Sequence, residues 1–103
     1  IPGRVVRFDA AKVEVVPHMG WNTVNYRLHM TNDKAEDDFY FVHSYYCVPE
    51  AAEHIAGETD YNGQKFCSIV RQGKVLGTQF HTEKSGPAGL QLLAAFCSGD
   101  LTP

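Results

Sequence analysis

Gly77-Thr78-Gln79-Phe80-His81-Thr82-Glu83-Lys84-Ser85 runs directly into Gly86-Pro87-Ala88-Gly89-Leu90-Gln91-Leu92-Leu93-Ala94-Ala95-Phe96, and the change of period between these stretches decides the fold class. Lys74 to Phe80 reads as a strand. Beyond Ser85, Leu92, Leu93 and Phe96 recur at helical spacing, and Pro87 suits a first helical turn. Ser85 is a candidate N-cap, and Gly99 would stop the helix. Strand, short loop and helix together form the closing unit of an open α/β sheet. In such sheets ligands bind at the carboxyl ends of strands, so chemistry is expected near Phe80-His81.

Upstream of this unit the chain is rich in strands. Lys65 to Arg71 precedes it and is joined to it at Gln72-Gly73. Asn62-Gly63 is a hairpin-turn signal between that strand and one over His54 to Thr59. Phe39 to Val48 is nearly continuous in aromatic and apolar residues, which predicts one strand buried on both faces. Thr31 to Asp38 is polar and acidic and reads as a solvated loop. Thr23 to His29 reads as a strand, and Pro17-His18-Met19-Gly20-Trp21-Asn22 as a loop by composition. Arg4 to Phe8 and Lys12 to Val16 are two short valine-rich strands joined through Asp9-Ala10-Ala11, the second ended by Pro17. No internal repeat or low-complexity tract interrupts the pattern.

The chain has 103 residues, of which 44% are hydrophobic and 20% charged, with a formal net charge of -3. That is one domain or a piece of one, of ordinary globular composition. The nine Lys and Arg residues are scattered from Arg4 to Lys84, so there is no stripe to track a phosphate backbone and nucleic-acid binding is not expected. No apolar run approaches the roughly 18 residues of a membrane span. Ile1-Pro2-Gly3-Arg4 has neither the character of a signal peptide nor an initiator Met, which suggests a start inside a longer chain. Three cysteines, Cys47, Cys67 and Cys97, without a close pair argue against a disulfide framework or zinc knuckle; reduced, mostly buried thiols in a cytoplasmic protein are expected. The five histidines show no short-range ligand pairing, so no metal or cofactor is expected.

His81-Thr82-Glu83 is the sharpest local constellation. In extended backbone, residues i and i+2 point to one side, so imidazole and carboxylate can meet. A carboxylate on one ring nitrogen fixes the tautomer and leaves the other nitrogen as a base, which is two-thirds of a nucleophile triad. The spacing alone also fits a chance neighbour pair. His43, in an apolar strand, reads unaided as a satisfied core histidine.

The surrounding residues carry more. Gly77-Thr78-Gln79-Phe80-His81-Thr82-Glu83 resembles the closing motif of class I (triad-type) glutamine amidotransferases, Gly-x-Gln-Phe-His-Pro-Glu. Pro17 to Asn22, Phe39-Tyr40-Phe41-Val42-His43-Ser44-Tyr45 and the tail Gly86 to Phe96 narrow the resemblance to the glutaminase subunits of imidazole glycerol phosphate synthases. It runs over nearly the whole chain and implies an α/β fold. Residues 1–103 would be a partial domain: the C-terminal half of the family's sheet, strand-rich with one C-terminal helix.

By that resemblance His81 is the general base and Glu83 its orienter. Ser44 and Tyr45 would hold the amino-acid end of glutamine; for Ser44 the plain alternative is a strand-end hydroxyl. His18, Trp21, Tyr40 and Lys84 would face the partner, a (β/α)8-barrel cyclase subunit that receives the ammonia; the alternatives are a core Trp21 and a solvated Lys84. The family's nucleophile is a cysteine in a Gly-x-Cys-x-Gly turn upstream of everything seen here, and none of the three cysteines has such flanks. The chain is therefore expected to carry base and orienter without nucleophile and to be inactive alone. Thr82 stands where the family has proline, leaving the backbone between base and orienter looser. A second reading is a non-catalytic interaction or self-assembly module derived from that family. In either case a missing half would leave an open strand edge and exposed apolar side chains, predicting a homodimer.

Overall fold

The structure, a computed structural model, describes residues 1–9, 16–27 and 36–99. Seven strands form one sheet: β1 (Gly3–Arg7), β2 (His18–Tyr26), β3 (Glu36–His43), β4 (Tyr45–Pro49), β5 (Ile55–Tyr61), β6 (Gln64–Gln72) and β7 (Val75–Thr78). Among the described residues a single α-helix, α1 (Gly86–Ser98), follows the sheet after a 3-10 turn at Thr82–Lys84. The order across the sheet is β1-β4-β6-β5-β2-β3, with β7 on β6, and every strand pairing is antiparallel. The expected strand-rich half-domain with one terminal helix is what the chain forms.

The hairpins follow from turn chemistry. Asn62 and Gly63 both take positive φ, 52° and 91°, the combination a two-residue turn needs to match strand twist. They set Tyr61 opposite Gln64. Gly73, at φ 58°, does the same work between β6 and β7, where Gln72 faces Val75.

Three expectations change. Pro17 to Asn22 is not a loop: β2 begins at His18 and pairs with β3 from His18↔His43 to Asn25↔Glu36. The inward positions are His18, Val24 and Tyr26, while Met19 and Trp21 face outward. Polar-in and apolar-out reverses the usual sign of strand alternation, and Gly20 and Asn22 blur it further. The predicted 39–48 strand is two strands broken at Ser44, whose carbonyl accepts the Phe8 N–H at 3.0 Å. Only one face of β3 is buried: Phe39, Phe41 and His43 point in, and Val42 is exposed. Glu36 to Asp38, read as part of a solvated loop, belong to β3. Residues 12–15 of the second predicted strand, 28–29 of the third and 31–35 of the acidic loop lie outside the described residues.

The core is aromatic. Phe8 packs edge-on to Phe66 with ring centroids 5.4 Å apart and lies 5.0 Å from Tyr46. Phe80 stacks on Phe39 at 4.0 Å. Phe80 is buried as the chain leaves β7, so it fixes where the following residue emerges. α1 covers this end of the sheet with Gly89, Leu92 and Ala95. Leu93 and Phe96, expected on its buried face, are exposed, as is Leu90. Among the described residues, no helix is long and apolar enough to cross a membrane.

Candidate active site

His81 sits where the sheet gives way to the helix. Its N–H donates to the Tyr40 carbonyl at 2.9 Å, forming an isolated antiparallel bridge on the outer edge of β3. This holds the His81 backbone extended, at φ -86° and ψ 103°. The chain then turns through Thr82–Lys84, closed by Lys84 N–H and Ser85 N–H on the carbonyls of His81 and Thr82, both at 3.2 Å. The turn brings Glu83 back under the imidazole: His81 Nδ1 donates to Glu83 Oε1 at 2.7 Å. The carboxylate only accepts, so Nδ1 carries a proton, and in the neutral ring Nε2 keeps its lone pair. No hydrogen bond to Nε2 exists among the described residues. The Glu83 carboxyl is held below its ordinary range by its own backbone N–H and then by His81. Thr82 in place of proline does not prevent the contact.

Ser85 anchors the arrangement. It stands at the N-cap position, but its side chain makes no cap hydrogen bond. Its Oγ donates to the His81 carbonyl at 2.6 Å and accepts the Tyr40 N–H at 3.0 Å. The hydroxyl thus ties the strand edge to the base-bearing turn. Gly89 lets the helix approach: a Cβ there would collide with the Thr82 carbonyl.

Ser44 and Tyr45 lie at the junction of β3 and β4, Ser44 half-buried and Tyr45 exposed. Ser44 is four residues along from Tyr40, about 13 Å at the rise of a strand. No hydrogen bond among the described residues joins Ser44 or Tyr45 to His81 or Glu83. Trp21 and Tyr40 are register partners with rings 5.9 Å apart, edge to face. Trp21 is 58% exposed, hence not a core tryptophan, and its ring reaches toward Gly86. Lys84 is exposed on the adjacent turn. Trp21 and Tyr40 thus pack together beside the turn that carries the exposed Lys84.

His18 does not join them. It is 3% exposed, stacked between Phe41 and Tyr61, and cannot face a partner. It belongs instead to a buried relay that the sequence did not reveal. His43 Nδ1 donates to the Tyr45 carbonyl at 2.8 Å, so its Nε2 accepts from His18 Nδ1 at 2.9 Å. His18 Nε2 in turn accepts from Asn22 Nδ2 at 3.2 Å. Asn22 Nδ2 also donates to the Asp60 carbonyl at 2.9 Å, and its Oδ1 accepts the Thr23 N–H at 2.7 Å. Both imidazoles are neutral in this chain of donors. Burial, then the neighbouring His43, pushes His18 down to about 4; His43 is lowered by burial. His18 and His43 are 25 residues apart, a pairing that no local pattern in a single sequence encodes. The reading of His43 as a satisfied core histidine holds.

The cysteines correct another expectation: Cys67 is buried, but Cys47 and Cys97 are exposed. Burial pushes the Cys67 thiol up to about 11, the wrong direction for a nucleophile.

A tautomer-fixed imidazole at a strand end, oriented by a carboxylate two residues on, is the base-and-orienter geometry of triad enzymes. No family model matches the chain. Individual proteins do. It is 42% identical over 99 residues to the imidazole glycerol phosphate synthase subunit HisH of Chlorobaculum tepidum, covering 93% of this chain and 49% of that protein. It is 47% identical over 100 residues to HisH of Nitrosococcus oceani and 46% identical over 110 residues to HisH of Syntrophotalea carbinolica. The chain spans about half the length of the relatives it matches. It belongs to the family of the imidazole glycerol phosphate synthase subunit HisH and corresponds to a C-terminal half.

Proposed function

We propose that this chain carries the base-bearing part of a glutaminase site, which releases ammonia from glutamine for imidazole glycerol phosphate synthesis in histidine biosynthesis. The single observation behind this reading is the 2.7 Å hydrogen bond from His81 Nδ1 to Glu83 Oε1, which leaves Nε2 with its lone pair. In this reading Nε2 takes the proton of a cysteine thiol. The thiolate attacks the side-chain amide carbon of glutamine, and His81 returns the proton to the departing ammonia. Water, deprotonated by the same nitrogen, then hydrolyses the thioester to glutamate. Glu83 keeps the imidazole in the required tautomer and offsets its charge as it becomes an imidazolium.

The thiol is none of the three cysteines here. Cys47, Cys67 and Cys97 lack Gly-x-Cys-x-Gly flanks, and Cys67 is additionally buried. These 103 residues alone are therefore inactive as a glutaminase. Ser44 and Tyr45 hold the amino-acid end of the substrate. Trp21, Tyr40 and Lys84 form the docking face for a (β/α)8-barrel cyclase, with Trp21 as its aromatic anchor. The test is ammonia release from glutamine on adding a cysteine-bearing first half of HisH, with His81→Ala as control. Activity that depends on both the added half and His81 supports the reading; activity from this chain alone overturns it.

A second reading is favoured by the exposed apolar side chains of α1, Leu90, Leu93 and Phe96. In that reading the chain is a self-associating module that covers them with a second copy.

A further inference from the structure

Cys47 on β4 and Cys67 on β6 are register partners in the antiparallel sheet. Register partners project to the same face, with Cα atoms about 4.5–5.5 Å apart. That spacing lies inside the window of about 4.4–6.8 Å that a disulfide spans. Their neighbours agree on the face: Tyr46 and Phe66, one position before each, pack together in the core with rings 5.9 Å apart, so both cysteines point to the opposite side. Glu58, the β5 partner of Cys67, is on that side too and is partly exposed. Both thiols are free in this structure. Cys47 is exposed and can meet a reagent from solution, whereas Cys67 is 8% exposed and is shielded from one. The place matters to the fold, because among the described residues Cys47↔Cys67 is the one register pair between β4 and β6, where the β1–β4 ribbon joins the rest of the sheet.

We propose that Cys47 and Cys67 are a reversible redox pair that closes into a cross-strand disulfide with a low-molecular-weight disulfide, such as oxidised glutathione, as oxidant. In the first step the Cys47 thiolate attacks one sulfur of the oxidant. A Cys47–glutathione mixed disulfide forms and one glutathione thiolate leaves. In the second step the Cys67 thiolate attacks the Cys47 sulfur and the second glutathione leaves. The two cysteines lose two protons and two electrons, and the oxidant becomes two thiols. The high thiol pKa that burial gives Cys67 makes the second step the slow one, and it accelerates as pH rises. Reduction by excess glutathione reverses both steps. The closed disulfide pins the β1–β4 ribbon to β6.

The experiment uses the full chain carrying Cys97→Ser, which removes the other exposed thiol. The protein is incubated with oxidised glutathione at several pH values, alkylated, digested after Lys and Arg, and mapped by mass spectrometry. Cleavage at Lys34, Lys65 and Arg71 places the two cysteines on different peptides. The expected product is the peptide of residues 35–65 joined to that of residues 66–71, formed faster at higher pH and lost on reduction. Oxidised protein should also unfold at a higher temperature than reduced protein. In Cys67→Ser the reaction should stop at the mixed disulfide on Cys47. Either of two outcomes in the parent overturns the proposal: Cys47 that remains glutathionylated with Cys67 alkylated, or Cys47 that does not react.

Discussion

At the scale of single residues, the site divides into what local spacing encodes and what it does not. His81 and Glu83 stand out as a pair by residue type and spacing, but the 2.7 Å contact comes from the 3-10 turn at Thr82–Lys84, which carries Glu83 back to the imidazole, and not from extended backbone. Ser85 was read as a helix cap because of its type and place. Its hydroxyl is instead engaged by the Tyr40 N–H and His81 carbonyl, groups brought to it by tertiary structure. His18 was assigned to a surface from the residues around it, yet the fold turns it inward onto His43. The pair makes stability depend on pH. His18 has a folded value of about 4 against 6.5 when unfolded, so between these values the unfolded chain binds more protons. The contribution is complete above 6.5 and is lost as pH falls toward 4. A loss of about 2 kcal/mol is expected across that window. Chemical denaturation at pH 7 and pH 4.5 measures it, and His18→Phe, an aromatic of similar bulk that cannot be protonated, should flatten the slope in this window.

At the scale of elements, hairpin turns and the terminal helix were the most legible features. Asn62-Gly63 encodes positive φ twice, and Gly99 ends α1 in the left-handed conformation at φ 76°. Of β2, Thr23 to Tyr26 reads as strand from sequence, whereas His18 to Asn22 reads as loop, because His18 points inward and Met19 and Trp21 outward, the reverse of the usual pattern. The break at Ser44 is hidden in a stretch, 39–48, that is nearly continuous in aromatic and apolar residues; the Ser44 carbonyl accepts the Phe8 N–H, from just beyond β1. The Ser85 hydroxyl bridges β3 and the turn that precedes α1, which gives a sharp prediction. Ser85→Ala leaves the Tyr40 N–H without its acceptor and removes a hydrogen bond from the His81 carbonyl. The cost is about 2 kcal/mol, a drop of several degrees in the thermal midpoint. The His81 and Glu83 resonances should shift in the same variant while those of β5 and β6 stay in place. A variant with unchanged stability and unchanged His81 shifts would show that the hydroxyl bridge does not hold the turn.

At the scale of the whole molecule, the chain spans about half the length of its relatives, and its surface carries large exposed apolar residues. Leu90 is 66% exposed, Val5 69% and Val75 62%. Strand β1 also lies at an edge of the sheet, open to pairing. Concentration-dependent dimerisation is therefore expected in light scattering, weakened by Leu90→Lys. A monodisperse monomer at high concentration would remove the self-association reading. The role of His81 as the base is tested by one assay. This chain is mixed with a HisH first half bearing the nucleophile cysteine, a barrel subunit is added, and ammonia release from glutamine is followed. The expected result is no ammonia from the chain alone, ammonia from the assembled mixture, and loss of about a hundredfold or more with His81→Ala. Ammonia from the chain alone, or an assembled mixture whose activity survives His81→Ala, would contradict it.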